Sequence, residues 1–371
     1  MVLRKPGTWG QLVSGRNFLR RSGWIGRGRA VTAAVLGSAA LAAAVVQAAP
    51  RPQQDPRTIH VFHGQGIHFA PRDSSRYDTA AIRATDGGRI ITRTLELDPP
   101  PYPARLMARV AITPIPKDPE SVHDKWDRAG SVRLLQAGSP AIELVKFITA
   151  YGGATTYEAD LTPLASLLRG RVTIAGFIDT WVSPAWTMDL SLEWSPLAPD
   201  SLLALSGAEP DSAPAWVRPL FCEDSWTAAT PGEEGRSIPV EIPPGTTRVV
   251  FQYLASGHCT DGRGAEEFVP RTHFVLVDGR EIHRLEPWRT DCKTFRSINP
   301  YCRRWSDGSW SADYARSGWC PGDQVQPIPI DVTAALPPGR HELRVRIPGI
   351  RPRDPDGNFG YWRVSGYLIG W

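Results

Sequence analysis

The segment Thr187-Met-Asp-Leu-Ser-Leu-Glu-Trp194 alternates polar and apolar residues, which puts Met188, Leu190, Leu192 and Trp194 on one face of an extended chain. A helix would scatter these four side chains around its axis, so the pattern admits a half-buried strand and little else. Runs of a similar kind recur at Arg89–Leu97, Ser131–Leu135, Arg171–Trp181, Arg248–Leu254, Thr272–Val277 and Gly339–Ile347, and the chain closes on Tyr361–Trp371. Asp278-Gly279, directly after one run, is a two-residue hairpin signal. Leu161–Leu168 reads as a short helix or a single helical turn. The 34 Gly, 35 Pro and 14 Trp, against 3 Met, fit this reading, because turn formers and bulky core residues abound. The expectation is an all-β fold, and 371 residues allow two or three domains.

The net charge of +4 misleads. Arg4, Lys5, Arg16, Arg20, Arg21, Arg27 and Arg29 lie in residues 1–49, which hold no acid, so the rest of the chain is net acidic. Nucleic acid is therefore excluded as the body's partner. The basic stretch precedes the Ala/Val-rich run Ala30–Val46, and Val46-Gln47-Ala48 offers a small-x-small cleavage site. Residues 1–49 are expected to be a signal peptide or an uncleaved membrane anchor, and the protein to be exported: periplasmic, secreted or anchored facing outward. A linker is expected at 50–57, one domain at 58–197, a Pro/Ala/Ser-rich connector at 198–212 and a second domain at 213–371. Nothing in the pattern suggests an oligomer, and a monomer is expected.

All 5 cysteines lie in the second half, at 222, 259, 292, 302 and 320. An exported chain meets conditions in which disulfides persist, and an odd count leaves at least one thiol over. The spacings fit no zinc signature.

Three segments carry chemistry. Asp124-Lys-Trp-Asp-Arg128 sets carboxylates, an indole and a guanidinium just before a strand. Gly264-Ala-Glu-Glu-Phe-Val-Pro-Arg-Thr-His273 sets two carboxylates before another. Ala315-Arg-Ser-Gly-Trp-Cys-Pro-Gly322 is a turn bearing Arg316, Trp319 and Cys320 within the long irregular stretch Pro287–Asp323. Taken singly, Asp127-Arg128 also reads as a surface ion pair, Glu266-Glu267 as a solvated loop, and Trp305 and Trp310 as loop packing.

In order along the chain, Trp126-Asp127-Arg128, Phe147-Ile-Thr-Ala-Tyr151, Thr180-Trp181, Ser256-Gly257-His258, Glu267 with Arg271-Thr-His273, and Arg316 to Gly322 resemble the motifs of the peptide-N-glycosidase F family. The resemblance runs from about Ser121 to Trp371. It implies two antiparallel eight-stranded jelly-roll domains (β-sandwiches) packed side by side, with the active cleft between them. It implies hydrolysis of the amide joining Asn to the innermost N-acetylglucosamine of N-linked glycoproteins or glycopeptides, without a cofactor. Asp127 aligns with the principal catalytic aspartate, Glu267 with its glutamate partner and Arg316 with the arginine beside the aspartate. Asp179 aligns with a third catalytic carboxylate, which is a Glu in the family. Arg128, Trp181, His258, Phe268 and Trp319 align with residues around the substrate. Cys292 and Cys320 match a family disulfide; for the others, a Cys222–Cys259 bridge leaving Cys302 over is the expectation.

The departures cluster around the glutamate. Ala265 and Val269 replace two cysteines that bracket it in the family, and Phe268 replaces a Trp. A second reading is therefore a non-catalytic glycan- or protein-binding double jelly roll with a degenerate site. A third is a copper-dependent oxidase using His60, His63 and His68. The third is set aside because a strand period of two puts His60 and His68 on one face and His63 on the other, and no metal site is expected.

Overall fold

The computed structural model describes residues 55–73, 75, 78–100, 104–196, 214–261 and 265–371. The expected leader, most of the linker and the connector at 198–212 lie outside the described residues. The first strands are β1 (Arg57–Ile67), β2 (Ile82–Thr85), β3 (Ile90–Leu97), β4 (Ala104–Pro114), β5 (Pro116–Asp118), β6 (Ser121–Val122), β7 (Ala129–Leu135), β8 (Ile142–Ile148), β9 (Thr155–Asp160), β10 (Gly170–Ile178) and β11 (Trp186–Pro196). The rest are β12 (Trp216–Trp226), β13 (Arg236–Ile242), β14 (Val249–Cys259), β15 (His273–Val277), β16 (Arg280–Leu285), β17 (Gln324–Val325), β18 (Ile328–Asp331), β19 (Gly339–Arg346) and β20 (Gly360–Gly370). Leu161–Leu168 supplies a 3-10 turn over Thr162–Leu167.

The strands form two antiparallel sandwiches. In the first, the sheet β1-β11-β4-β9 faces β17-β8-β7-β10-β3-β2; in the second, β12-β20-β14-β18 faces β13-β19-β15-β16. The second sandwich thus has the expected eight strands. The first has ten, one of which, β17, follows the long irregular stretch and adds to the β8 edge of its sheet. That crossing pairs Gln324 with Phe147 and covers a sheet edge that would otherwise present unpaired backbone groups.

Each sandwich closes over its own apolar layer. Met188, Leu190, Leu192 and Trp194 all enter the first core, as their alternation requires. Phe221, Phe251, Tyr253, Leu343, Val345 and Trp362 fill the second. Leu254, Tyr367 and Ile369 of the second sandwich pack into the first core, so the two layers meet across an apolar seam. This is why β8 and β20 do not alternate: both faces are covered, and all seven residues of β8 are buried.

Charges inside that seam are paired. Glu143 on β8 takes Lys146 at 3.3 Å and the Ser365 hydroxyl of β20 at 2.6 Å. Arg133 on β7 and Arg363 on β20 both hold Asp224 on β12, which stays exposed at the rim of the seam. Buried charges cost several kcal/mol unless matched in this way, so the seam favours one docking of the sandwiches.

Cys292 and Cys320 form the disulfide that the resemblance implied. The expected Cys222–Cys259 bridge is absent. Cys222 pairs with Ser365 and Cys259 with Gly360, on opposite sides of β20, five residues apart along it. Strands two apart are already about 10 Å away, beyond disulfide reach. Burial instead pushes the Cys222 thiol up to about 12. The assignment of faces to the three histidines also fails: bulges in β1 between His60 and Phe62 and between Phe62 and Gln65 break the period, leaving His60 and His63 exposed and His68 buried.

Candidate active site

The turn Asp124–Arg128 is held from below by one buried carboxylate. Asp124 accepts from Arg128 Nε at 2.9 Å, from the Thr180 hydroxyl at 2.7 Å and from Trp186 Nε1 at 3.2 Å. Thr149 completes the clamp: its hydroxyl accepts from Arg128 N and donates to Trp126 O. The peptide is thereby fixed with Trp126 turned outward, 63% exposed, and Asp127 turned inward.

Asp127, Arg128, Asp179, Trp181, His258, Glu267 and Trp319 line one cleft of about 460 Å³, together with Trp126, Cys259 and Tyr361. A shallower depression of about 520 Å³ lies by Lys293, Arg296, Asn299, Cys302 and Trp310 and is lined by none of the candidate carboxylates. Phe268 is not among the lining residues of the cleft. It backs Arg316, whose guanidinium lies between the Phe268 ring, 5.0 Å away, and the Trp319 ring, 4.7 Å away.

Arg316 organises the centre. It is 1% exposed; Nη2 lies 3.8 Å from Asp127 Oδ2 and donates to the Tyr151 hydroxyl at 3.2 Å, while Nε donates to Glu267 Oε1 at 3.4 Å. One guanidinium therefore serves an acid from each sandwich. Asp127 Oδ2 is buried and accepts no hydrogen bond from the described residues, which leaves its lone pairs free for a proton. Burial raises the Asp127 carboxyl, opposed by the charge of Arg316 and the Tyr151 hydroxyl. Burial also pushes Glu267 up to about 7, helped by the charge of Asp127 and opposed by Arg316. The two carboxyls are thus linked, the charge of Asp127 disfavouring ionisation of Glu267.

Asp179 sits differently. Arg89 donates to it at 2.9 Å and Arg363 at 2.6 Å, so two guanidiniums neutralise it. Arg89 also lies 5.0 Å from the Phe69 ring and 4.6 Å from the Trp181 ring. Its stack supports Trp181, which stays 56% exposed. His258 lies stacked between Trp319 and Tyr361, with its Nε2 sharing a 2.8 Å hydrogen bond with Ser256. Burial, with Arg363, Lys146 and Arg316 near, pushes it well below the usual imidazole range, so it is neutral.

Sequence reasoning missed Asp124, Thr149, Tyr151, Arg89 and Arg363 as parts of this assembly. Tyr151 and Thr149 stood in a quoted motif without a role; Arg89 and Arg363 carried no local signal. Among the described residues, no group of three His, Cys, Asp or Glu converges as a metal set.

Residues 229–369 match the family model "Peptide-N-glycosidase F, C terminal". No curated protein matches the chain in sequence. Among solved structures, PNGF-II is similar at 24% identity and a TM-score of 0.72, over 85% of this chain and 65% of that one, so this chain spans less than two-thirds of its length. PNGase F, described as a glycosylasparaginase from Flavobacterium meningosepticum, is similar at 16% identity and a TM-score of 0.64, over 85% of this chain and 96% of that one. A peptide-N(4)-(N-acetyl-beta-D-glucosaminyl) asparagine amidase is similar at 17% identity and a TM-score of 0.61, with the same two shares. At these identities the likeness establishes the double β-sandwich fold.

Proposed function

We propose that this chain, whose C-terminal domain belongs to the peptide-N-glycosidase F family, is an exported glycoamidase that hydrolyses the Asn–N-acetylglucosamine amide of N-linked glycoproteins or glycopeptides. The observation that carries the reading is the guanidinium of Arg316 set against both Asp127 and Glu267 in a cleft rimmed by Trp126 and Trp181. Amide hydrolysis needs an acceptor for the proton of the attacking water and a donor for the departing nitrogen. Asp127, with a free buried oxygen beside a cation, suits the acceptor. Glu267, raised to about 7, keeps a proton that it can pass to the nitrogen. Arg316 would steady the oxyanion formed as the carbonyl is attacked. The flat faces of Trp126 and Trp181 suit the apolar faces of sugar rings. Asp179, held by Arg89 and Arg363, is a fixed acceptor for substrate hydroxyl or amide groups and takes no part in proton transfer. Export is supported by the basic leader with its Ala-rich run and by the Cys292–Cys320 disulfide.

The test is incubation of the protein with a denatured N-glycoprotein in the presence of a chelator, followed by mass spectrometry of the peptide. Conversion of the glycosylated Asn to Asp, lost in Asp127→Asn by a factor of about 10² or more, supports the amidase. Glycan binding without product would replace it with a binding module.

A further inference from the structure

Glu267 lies between β14 and β15, and the described residues of that connection, 260–261 and 265–272, hold no strand and no disulfide. Something must fix it, since general acid–base work tolerates only small displacements. The geometry points to Glu266 as the positioning residue that seats the Glu267 loop on the second sandwich, an inference resting on the amidase reading above.

Glu266 is fully buried. Its Oε1 accepts from Arg271 Nε and from the backbone N of Arg351, each at 3.0 Å, and Arg271 Nη2 adds an ion pair at 3.0 Å. Arg351 holds the same loop a second time, through Asp261, at 2.8 Å. Two glycines admit the residue. A Cβ at Gly257 of β14 would lie 2.1 Å from the Glu266 carbonyl oxygen, and one at Gly360 of β20 would lie 1.4 Å from Glu266 Oε2. The loop therefore lies flat across β14 and β20, and the residue after the anchor emerges at the cleft. Ser317 N donates to Glu267 O at 3.0 Å and ties the result to the Arg316 turn. The bracket expected of two cysteines is absent at Ala265 and Val269, and a buried ion pair anchors the loop.

Around Glu267 stand Asp127 and Tyr151 from the first sandwich and Cys259 and Arg316 from the second. Burial is the main cause of its raised carboxyl, so a loosened loop admits water and lowers it. The experiment is a carbon-13 NMR titration of the Glu267 side-chain carboxyl in the full chain, with the resonance identified by its loss in Glu267→Gln. Wild type is expected to titrate near 7 and Glu266→Gln lower by about one unit or more. With glycopeptide, Glu266→Gln is expected to lose about tenfold or more in kcat with KM within about twofold. A folded Glu266→Gln with wild-type titration and kcat overturns the assignment. If Glu266→Gln does not fold, Arg271→Gln removes the ion pair from its more exposed side and is read by the same two outcomes. A wild-type protein that cleaves no glycopeptide, yet shows the titration shift, refutes the amidase and leaves the anchor standing.

Discussion

Arg363 Nη2 lies 2.6 Å from Asp179 Oδ2, joining the end of β10 in the first sandwich to β20 in the second. The same guanidinium holds Asp224 at 2.9 Å, so one buried cation answers to an acid in the cleft and to an acid in the seam. Removing it leaves Asp179 to Arg89 and Asp224 to Arg133. Arg363→Met is expected to destabilise the protein by about 2 kcal/mol in urea unfolding. A loss under about 1 kcal/mol would mean that the seam does not depend on it.

Glu267 makes stability depend on pH. Its carboxyl is raised in the folded protein, so the folded state binds more protons than the unfolded one between the ordinary carboxylate range and about 7. The associated stability is present below that window and is lost as pH rises through it. The loss is expected to be on the order of 3 kcal/mol and to shrink in Glu267→Gln, where the raised Asp127 carboxyl still contributes. Parallel denaturant curves for the two proteins from pH 4 to 8 would overturn it.

The Cys292–Cys320 disulfide closes 28 residues of the irregular stretch that delivers Arg316 and Trp319. A Cys292→Ser/Cys320→Ser variant is expected to lose about 3 kcal/mol, read by thermal unfolding. Reductant is expected to lower glycopeptide hydrolysis by wild type and to leave the variant unaffected; equal effects on both would detach the bridge from the site.

Trp126 and Trp181 expose large apolar faces at the cleft. Truncating Trp126 to Ala is expected to weaken glycopeptide binding roughly tenfold, about 1.4 kcal/mol, while stability changes by no more than about 0.5 kcal/mol. Calorimetry on the folded variant checks both. Unchanged affinity would remove Trp126 from the substrate surface.

The strands were legible wherever one face stays wetter than the other, as in β11, because alternation then survives in the residues. It vanishes in β8 and β20, which are covered on both faces, and the charges there, Glu143, Lys146 and Arg363, look like surface residues until their partners are seen. The ordered motifs brought Asp127, Glu267 and Arg316 into view. They did not reveal Glu266: two adjacent glutamates shortly before a proline read as solvated, and only Gly257 and the distant Gly360 mark the space it fills. Arg89 and Asp179 meet across 90 residues, and no local period reports such a pairing.

Because β20 lies between β12 and β14 and is built from residues 360–370, the sheet β12-β20-β14-β18 is not continuous until those residues have been synthesised. During translation the cleft, which borrows Tyr361 and Arg363, is incomplete until β20 has been added. A nascent chain would thus carry Asp127, and later Glu267 and Arg316, before the strand that joins the two halves of that sheet exists, and competence would wait on that strand.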